Sequence, residues 1–154
     1  MTGIVIIAHA PLASALEHCV EHVYTCEPGL AKANLRVLDV EPGADVEALF
    51  LRATALVAEV DSGAGVLVLT DAFGATPGNL AARLNVPGRV SVVAGVNLPM
   101  LLRAVCYRGS SLGELAEKAL AGGQQGMVQV TGTPVQNQGY NPQGNDHQRL
   151  HHQQ

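Results

Sequence analysis

Apolar positions along this chain follow two rhythms that alternate from the first residues to about residue 130. Ile4-Val5-Ile6-Ile7-Ala8 contains no polar side chain and is rich in β-branched residues. Such residues are stiff at χ1 and suit a pleated surface, so the run predicts a strand covered on both faces. Leu12, Leu16, Cys19, Val20 and Val23 then recur at helical spacing, with Glu17, His18, Glu21 and His22 on the opposite face. Glu27-Pro28-Gly29 is a stop signal for that helix. Leu35 to Val40 reads as a second, more polar strand near a sheet edge, and Glu41-Pro42-Gly43 turns the chain. Asp45 is a good N-cap for a helix carrying the stripe Val46, Leu49, Phe50, Ala53, Leu56, Val57 and Val60. Val66-Leu67-Val68-Leu69-Thr70 is a third strand, ending at Asp71. A helix is expected over about 79–84 and a fourth strand over 90–96, ending at Asn97. Pro99 opens another helix, one more covers about 112–120, and a short strand over 127–130 closes the fold. Strands alternating with helices predict an α/β fold, a doubly wound, mostly parallel sheet with helices on both faces.

Residues 131–154 have a different character. Gln, Asn, Gly and Pro dominate, and Val135 and Leu150 are the large aliphatics. Such a segment buries too little to offset its ordering entropy. The expected organisation is one domain over 1–130 and a disordered polar tail over 131–154. His147, His151 and His152 read as part of that solvated tail rather than as a metal site.

Composition narrows the function classes. The chain is 47% hydrophobic with no Trp and two Phe, so its core must rest on Ala, Val and Leu. The net charge is -4, and the nine Lys and Arg residues form no run. Both facts argue against a nucleic-acid surface and against an anionic membrane. Cys19, Cys26 and Cys106 are odd in number and lack zinc-type spacing, as expected of reduced thiols in a cytoplasmic protein. No basic residue precedes the N-terminal apolar run, and no apolar segment is long enough to span a bilayer.

Three strand ends carry polar residues: His9, Asp71 and Asn97. In a doubly wound sheet the first, third and fourth strands are commonly neighbours, so these residues are expected on one rim, where such folds bind ligands. A carboxylate beside a histidine fixes its tautomer and leaves the other ring nitrogen as a nucleophile. Gly74, Ala75 and Thr76 stand at a helix entry, where amides without intrahelical acceptors favour an anion. Together they describe a phosphohistidine site that needs no metal or cofactor. Each residue also has a plain structural reading. His9 can be a bonded loop residue, Asp71 a turn former, Thr76 a helix start, and Asn97 a cap for the helix at Pro99.

The stretches Ile4-Val5-Ile6-Ile7-Ala8-His9, Val66 through Asn79, and Gly95-Val96-Asn97-Leu98-Pro99-Met100 resemble the enzyme IIA component of the mannose-type sugar phosphotransferase system. The resemblance covers about residues 1–130. It implies a doubly wound parallel sheet and a homodimer in which a C-terminal strand, here 127–130, crosses to the partner. It implies that His9 accepts a phosphoryl group from the carrier HPr and passes it to a histidine of an enzyme IIB. Asp71 would orient His9, and Thr76 would bond the phosphoryl group. The family often has Gly where this chain has Ala10 and Ala75, and Trp where it has Phe73. No IIB segment follows residue 130, so a IIB in trans is expected, with peripheral association to a sugar permease or use in a regulatory phosphorelay. HPr is expected to dock over Pro11, Leu12, Phe73 and Met100.

Two other readings stand beside this one. A tetrapyrrole metal chelatase also places a histidine after an apolar first strand, but it needs further ligands such as His18 or His22. A non-catalytic signalling module of receiver type would use Asp71, but it needs an acidic pair after the first strand, where this chain has His9. A nucleotide-binding module would carry a Gly-rich first turn, unlike Ala8-His9-Ala10-Pro11.

Overall fold

The computed structural model describes residues 1–26 and 28–132. Its elements are β1 (Gly3–His9), α1 (Leu12–Val23), α2 (Pro28–Lys32), β2 (Leu35–Val40), α3 (Val46–Val60) and β3 (Val66–Thr70), followed by α4 (Thr76–Ala82), β4 (Val90–Ala94), α5 (Leu98–Tyr107) and α6 (Leu112–Gln125). The four strands form one parallel sheet in the order β2-β1-β3-β4.

The position of β1 explains its unbroken apolar run. Successive side chains of a strand point to opposite faces. Ile4, Ile6 and Ala8 join Leu67, Leu69 and Leu101 in the core beneath α1, α5 and α6. Val5 and Ile7 join Val66, Val68 and Leu80 beneath α3 and α4. All five residues from Ile4 to Ala8 are fully buried. At roughly 1.5–3 kcal/mol for each large aliphatic, β1 feeds both cores at once. The expected architecture is therefore the observed one, and the first, third and fourth strands are neighbours.

α1 ends at Val23, before the expected stop signal, and Pro28 and Gly29 then start a short helix, α2, that the pattern does not predict; Pro is tolerated in a first helical turn because its missing N–H would have no acceptor there. Three local expectations are corrected. The helix after β3 begins at Thr76 rather than near residue 79, with Pro77 in its first turn. α6 runs on through Gly122 and Gly123 because both pack against α5, where a Cβ would meet Arg103 or Met100. Packing there outweighs the poor helix propensity of glycine. Residues 127–130 form no strand within the chain; Met127, Val128 and Val130 are 69%, 74% and 72% exposed. A strand exists only with a ladder partner, and none lies alongside among the described residues. From residue 133 the expected polar tail lies outside the described residues.

One buried cation was not foreseen. Arg108, just past α5, is only 1% exposed. Its Nη1 donates to the Ala33 carbonyl and its Nη2 to the Leu30 carbonyl, both in short hydrogen bonds. Burial pulls the guanidinium below its usual pKa, and Tyr24 opposes that. The side chain thus gathers the end of α2 and the start of β2 onto α5. Arg108→Ala leaves these acceptors unmatched and opens a void, so a loss of about 3 kcal/mol is expected in urea unfolding. A loss under about 1 kcal/mol would show that the carbonyls find water instead.

Candidate active site

The carboxyl ends of β1 and β3 lie side by side because the two strands pair in parallel, with Ile7 opposite Thr70. His9, two residues beyond Ile7, and Asp71, one beyond Thr70, meet there. Asp71 Oδ2 lies 2.7 Å from His9 Nδ1 and accepts the His9 backbone N–H at 3.0 Å. Asp71 Oδ1 accepts the Ala72 N–H at 2.9 Å. An ionised carboxylate can only accept, so the ring proton sits on Nδ1 and the lone pair on Nε2. The His9 side chain is 54% exposed, whereas that of Asp71 is 13% exposed. The arrangement is a rigidly held base beneath an open imidazole.

Burial pushes the Asp71 carboxyl up, but the hydrogen bonds from the His9 ring and from the His9 and Ala72 amides, with the electrostatic pull of the His9 ring, outweigh it. The net direction is down from the ordinary carboxylate value. The group therefore stays ionised at neutral pH.

Two features shape the loop after Asp71. Gly74 takes φ +82°, a conformation that favours glycine, and Ala75 follows at φ -85°. Alanine at position 75 is thus in ordinary extended backbone and needs no glycine. Gly78, in the first turns of α4, stands against the loop; a Cβ there would overlap the Ala72 carbonyl oxygen. That close approach brings α4 down on β1 and β3 and keeps Thr76 at the rim. Thr76 is exposed, and Phe73, in the same loop, is 93% exposed.

Asn97 occupies the fourth strand's end of the rim, but both its polar atoms are engaged. Oδ1 accepts the Met100 N–H at 2.9 Å, and Nδ2 donates to the Gly123 carbonyl at 3.1 Å. Its geometry supports the capping role, which ties α5 to α6, and a ligand-binding role is not carried further. Met100 is buried at 4% exposure and belongs to the core, so it is no part of a docking surface. His18 and His22 are exposed on α1, more than one and more than two turns past its start. Among the described residues no group of three or more His, Cys, Asp or Glu side chains gathers as a metal site would. Sequence reasoning missed Asp39, a part-buried carboxylate of β2 that bonds Ser14 at the start of α1. Its one local signal is a carboxylate inside a strand that also carries Arg36.

The family model described as "PTS system fructose IIA component" matches residues 3–120. The chain belongs to the mannose-type IIA family of the phosphotransferase system. This IIA chain is 35% identical over 106 residues to the "PTS system mannose-specific EIIAB component" of Escherichia coli K12. That alignment covers 67% of this chain and 33% of the relative, so the chain spans about a third of the length of the curated protein it matches. A mannose/sorbose-specific IIA subunit from Enterococcus faecalis superposes with a TM-score of 0.74 at 20% identity, covering 88% of this chain and 98% of that one. An EIIA component from Streptococcus agalactiae gives 0.72 at 23% identity, covering 84% and 97%. At those identities the two structures establish the IIA fold. Membership carries a phosphocarrier role in general terms. No helix among the described residues is long and apolar enough to cross a membrane.

Proposed function

We propose that this chain is a protein-histidine phosphocarrier whose acceptor is His9. HPr presents a phosphohistidine; a bond forms from phosphorus to His9 Nε2 as the donor's N–P bond breaks. No proton needs to move between the two rings. Phospho-His9 then gives the group to a histidine of an enzyme IIB, or holds it in a regulatory phosphorelay. The reading is carried by one observation, the 2.7 Å contact that commits His9 Nδ1 to Asp71 while the ring stays open to solvent. Asp71 orients the ring and stabilises its charge as phosphorus adds. Thr76 and the amides of Gly74 and Ala75 are the proposed donors to the phosphoryl oxygens. Transfer between two imidazoles asks little covalent chemistry of the protein, so positioning carries most of the rate.

The test is incubation with enzyme I, HPr and phosphoenolpyruvate. The expected product carries phosphate that is lost in acid and kept in base. A base-labile acyl phosphate would favour the receiver-type reading, with Asp71 as acceptor.

The working unit is proposed to be a homodimer. β4 has a neighbour on one side only among the described residues. A groove of about 390 Å3 opens beside it, walled by Thr70, Phe73, Ala82, Val92 and Ala94. The exposed residues 127–130 of a second copy supply an apolar strand for that edge. Deleting residues 127–154 is expected to convert a dimer to a monomer in sedimentation equilibrium. A deletion that leaves the mass unchanged would remove this part of the proposal.

A further inference from the structure

α1 starts without a cap of its own. Pro11, at its N-cap position, makes no side-chain cap, and the first turn has no acidic residue. The acceptor comes from another strand. Asp39 of β2 accepts the Ser14 N–H through Oδ1 at 3.2 Å, and its Oδ2 accepts the Ser14 hydroxyl in a short hydrogen bond. In the β1–β2 register Asp39 stands opposite Ala8, and Val40 stands opposite His9. Ala10 donates its N–H to the Val40 carbonyl at 3.1 Å.

The corner that carries His9 is therefore fastened on two flanks by two carboxylates on neighbouring strands. Asp71 acts from β3 on His9 itself. Asp39 acts from β2 on the first turn of α1. Between His9 and α1 lie only Ala10 and Pro11, so any shift of that turn passes straight to the imidazole. We propose that Asp39 is a positioning residue for phosphoryl acceptance: by locking Ser14 it holds the β1–α1 corner in the geometry that presents His9 Nε2. The inference rests on the phosphoacceptor reading of His9.

The chemistry sets the expected size. In-line transfer between rings is sensitive to misplacement by about 1 Å, which costs rate without weakening partner docking. Asp39→Ala and Asp39→Asn separate this role from a merely structural one. Asparagine keeps an oxygen for the Ser14 N–H and offers its amide to the Ser14 hydroxyl. In single-turnover phosphorylation by phospho-HPr, Asp39→Ala is expected to lower the limiting rate about tenfold or more while the half-saturating HPr concentration stays within about twofold. Asp39→Asn recovers most of that loss. The His9 ring 15N resonances of the unphosphorylated protein provide a readout that needs no donor. They shift towards a tautomer mixture in the alanine variant and stay native in the asparagine variant.

A folded Asp39→Ala protein with native rate and native ring resonances overturns the proposal. So does an equal loss in both variants, which would assign the effect to charge rather than position. Should Asp39→Ala fail to fold, Ser14→Ala removes only the hydroxyl bond and is expected to show a smaller loss of the same kind; a native rate there counts against the proposal. Failure of wild-type protein to accept phosphate would instead defeat the phosphoacceptor reading, and the ring resonances would still report whether Asp39 sets the corner.

Discussion

His9→Ala is expected to abolish phosphoryl acceptance from phospho-HPr. The acceptor atom is removed, and no other group on the rim replaces it. Asp71 is committed to the His9 and Ala72 amides and lacks any acidic companion after β1 to hold a metal ion for acyl-phosphate chemistry. His18 and His22 are on the exposed face of α1. The fold should survive, since His9 is half exposed and its backbone stays in the β1 ladder. Loss of labelling with an unchanged circular dichroism spectrum is the expected pair of results. Full labelling of the folded variant would move the acceptor elsewhere.

Asp71→Ala is expected to slow acceptance by roughly 10²-fold or more, the scale on which an orienting carboxylate acts on a histidine nucleophile. Without it His9 loses its tautomer preference, and an imidazole bearing its proton on Nε2 cannot attack. The effect should fall on the limiting rate, because the Asp71 side chain is 13% exposed and offers little surface to a partner. Linkage gives a second readout. The folded carboxyl titrates below its unfolded value, so its stabilising contribution is complete above the ordinary carboxylate range. It is lost as pH falls through the lower folded value. Wild type should therefore exceed the alanine variant in urea midpoint at neutral pH, and the gap should close only in strong acid. An equal gap at all pH values would mean that the hydrogen bonds to His9 and Ala72 do not stabilise the charged form.

The parts of the site legible in the sequence share one cause. β1 and β3 are buried on both faces, so their apolar runs are long and their first titratable residues mark where each strand ends. Parallel pairing then does the rest, because it sets both ends on one rim. His9 and Asp71 could be read that way. Asn97 could not be separated into cap or ligand by pattern, since its partner in the second bond, Gly123, lies 26 residues on. The same holds for Asp39 with Ser14, 25 residues away, and for Arg108 with Leu30 and Ala33, 75 or more away. Side-chain bonds of that span leave no periodic trace. Met100 was misplaced because the helix period does not say which of two apolar faces meets the sheet. Residues 127–130 have strand chemistry but lack a partner among the described residues of their own chain, and a single sequence carries no count of copies.

The most direct test of the central claim is the ring nitrogen that carries the phosphate. In protein labelled with 15N in its histidines and phosphorylated through enzyme I and HPr, the one-bond 15N–31P coupling identifies that atom. The account predicts phosphorus on Nε2 of His9 with the proton retained on Nδ1, held by Asp71. Phosphorus on Nδ1, or on any residue other than His9, would contradict it.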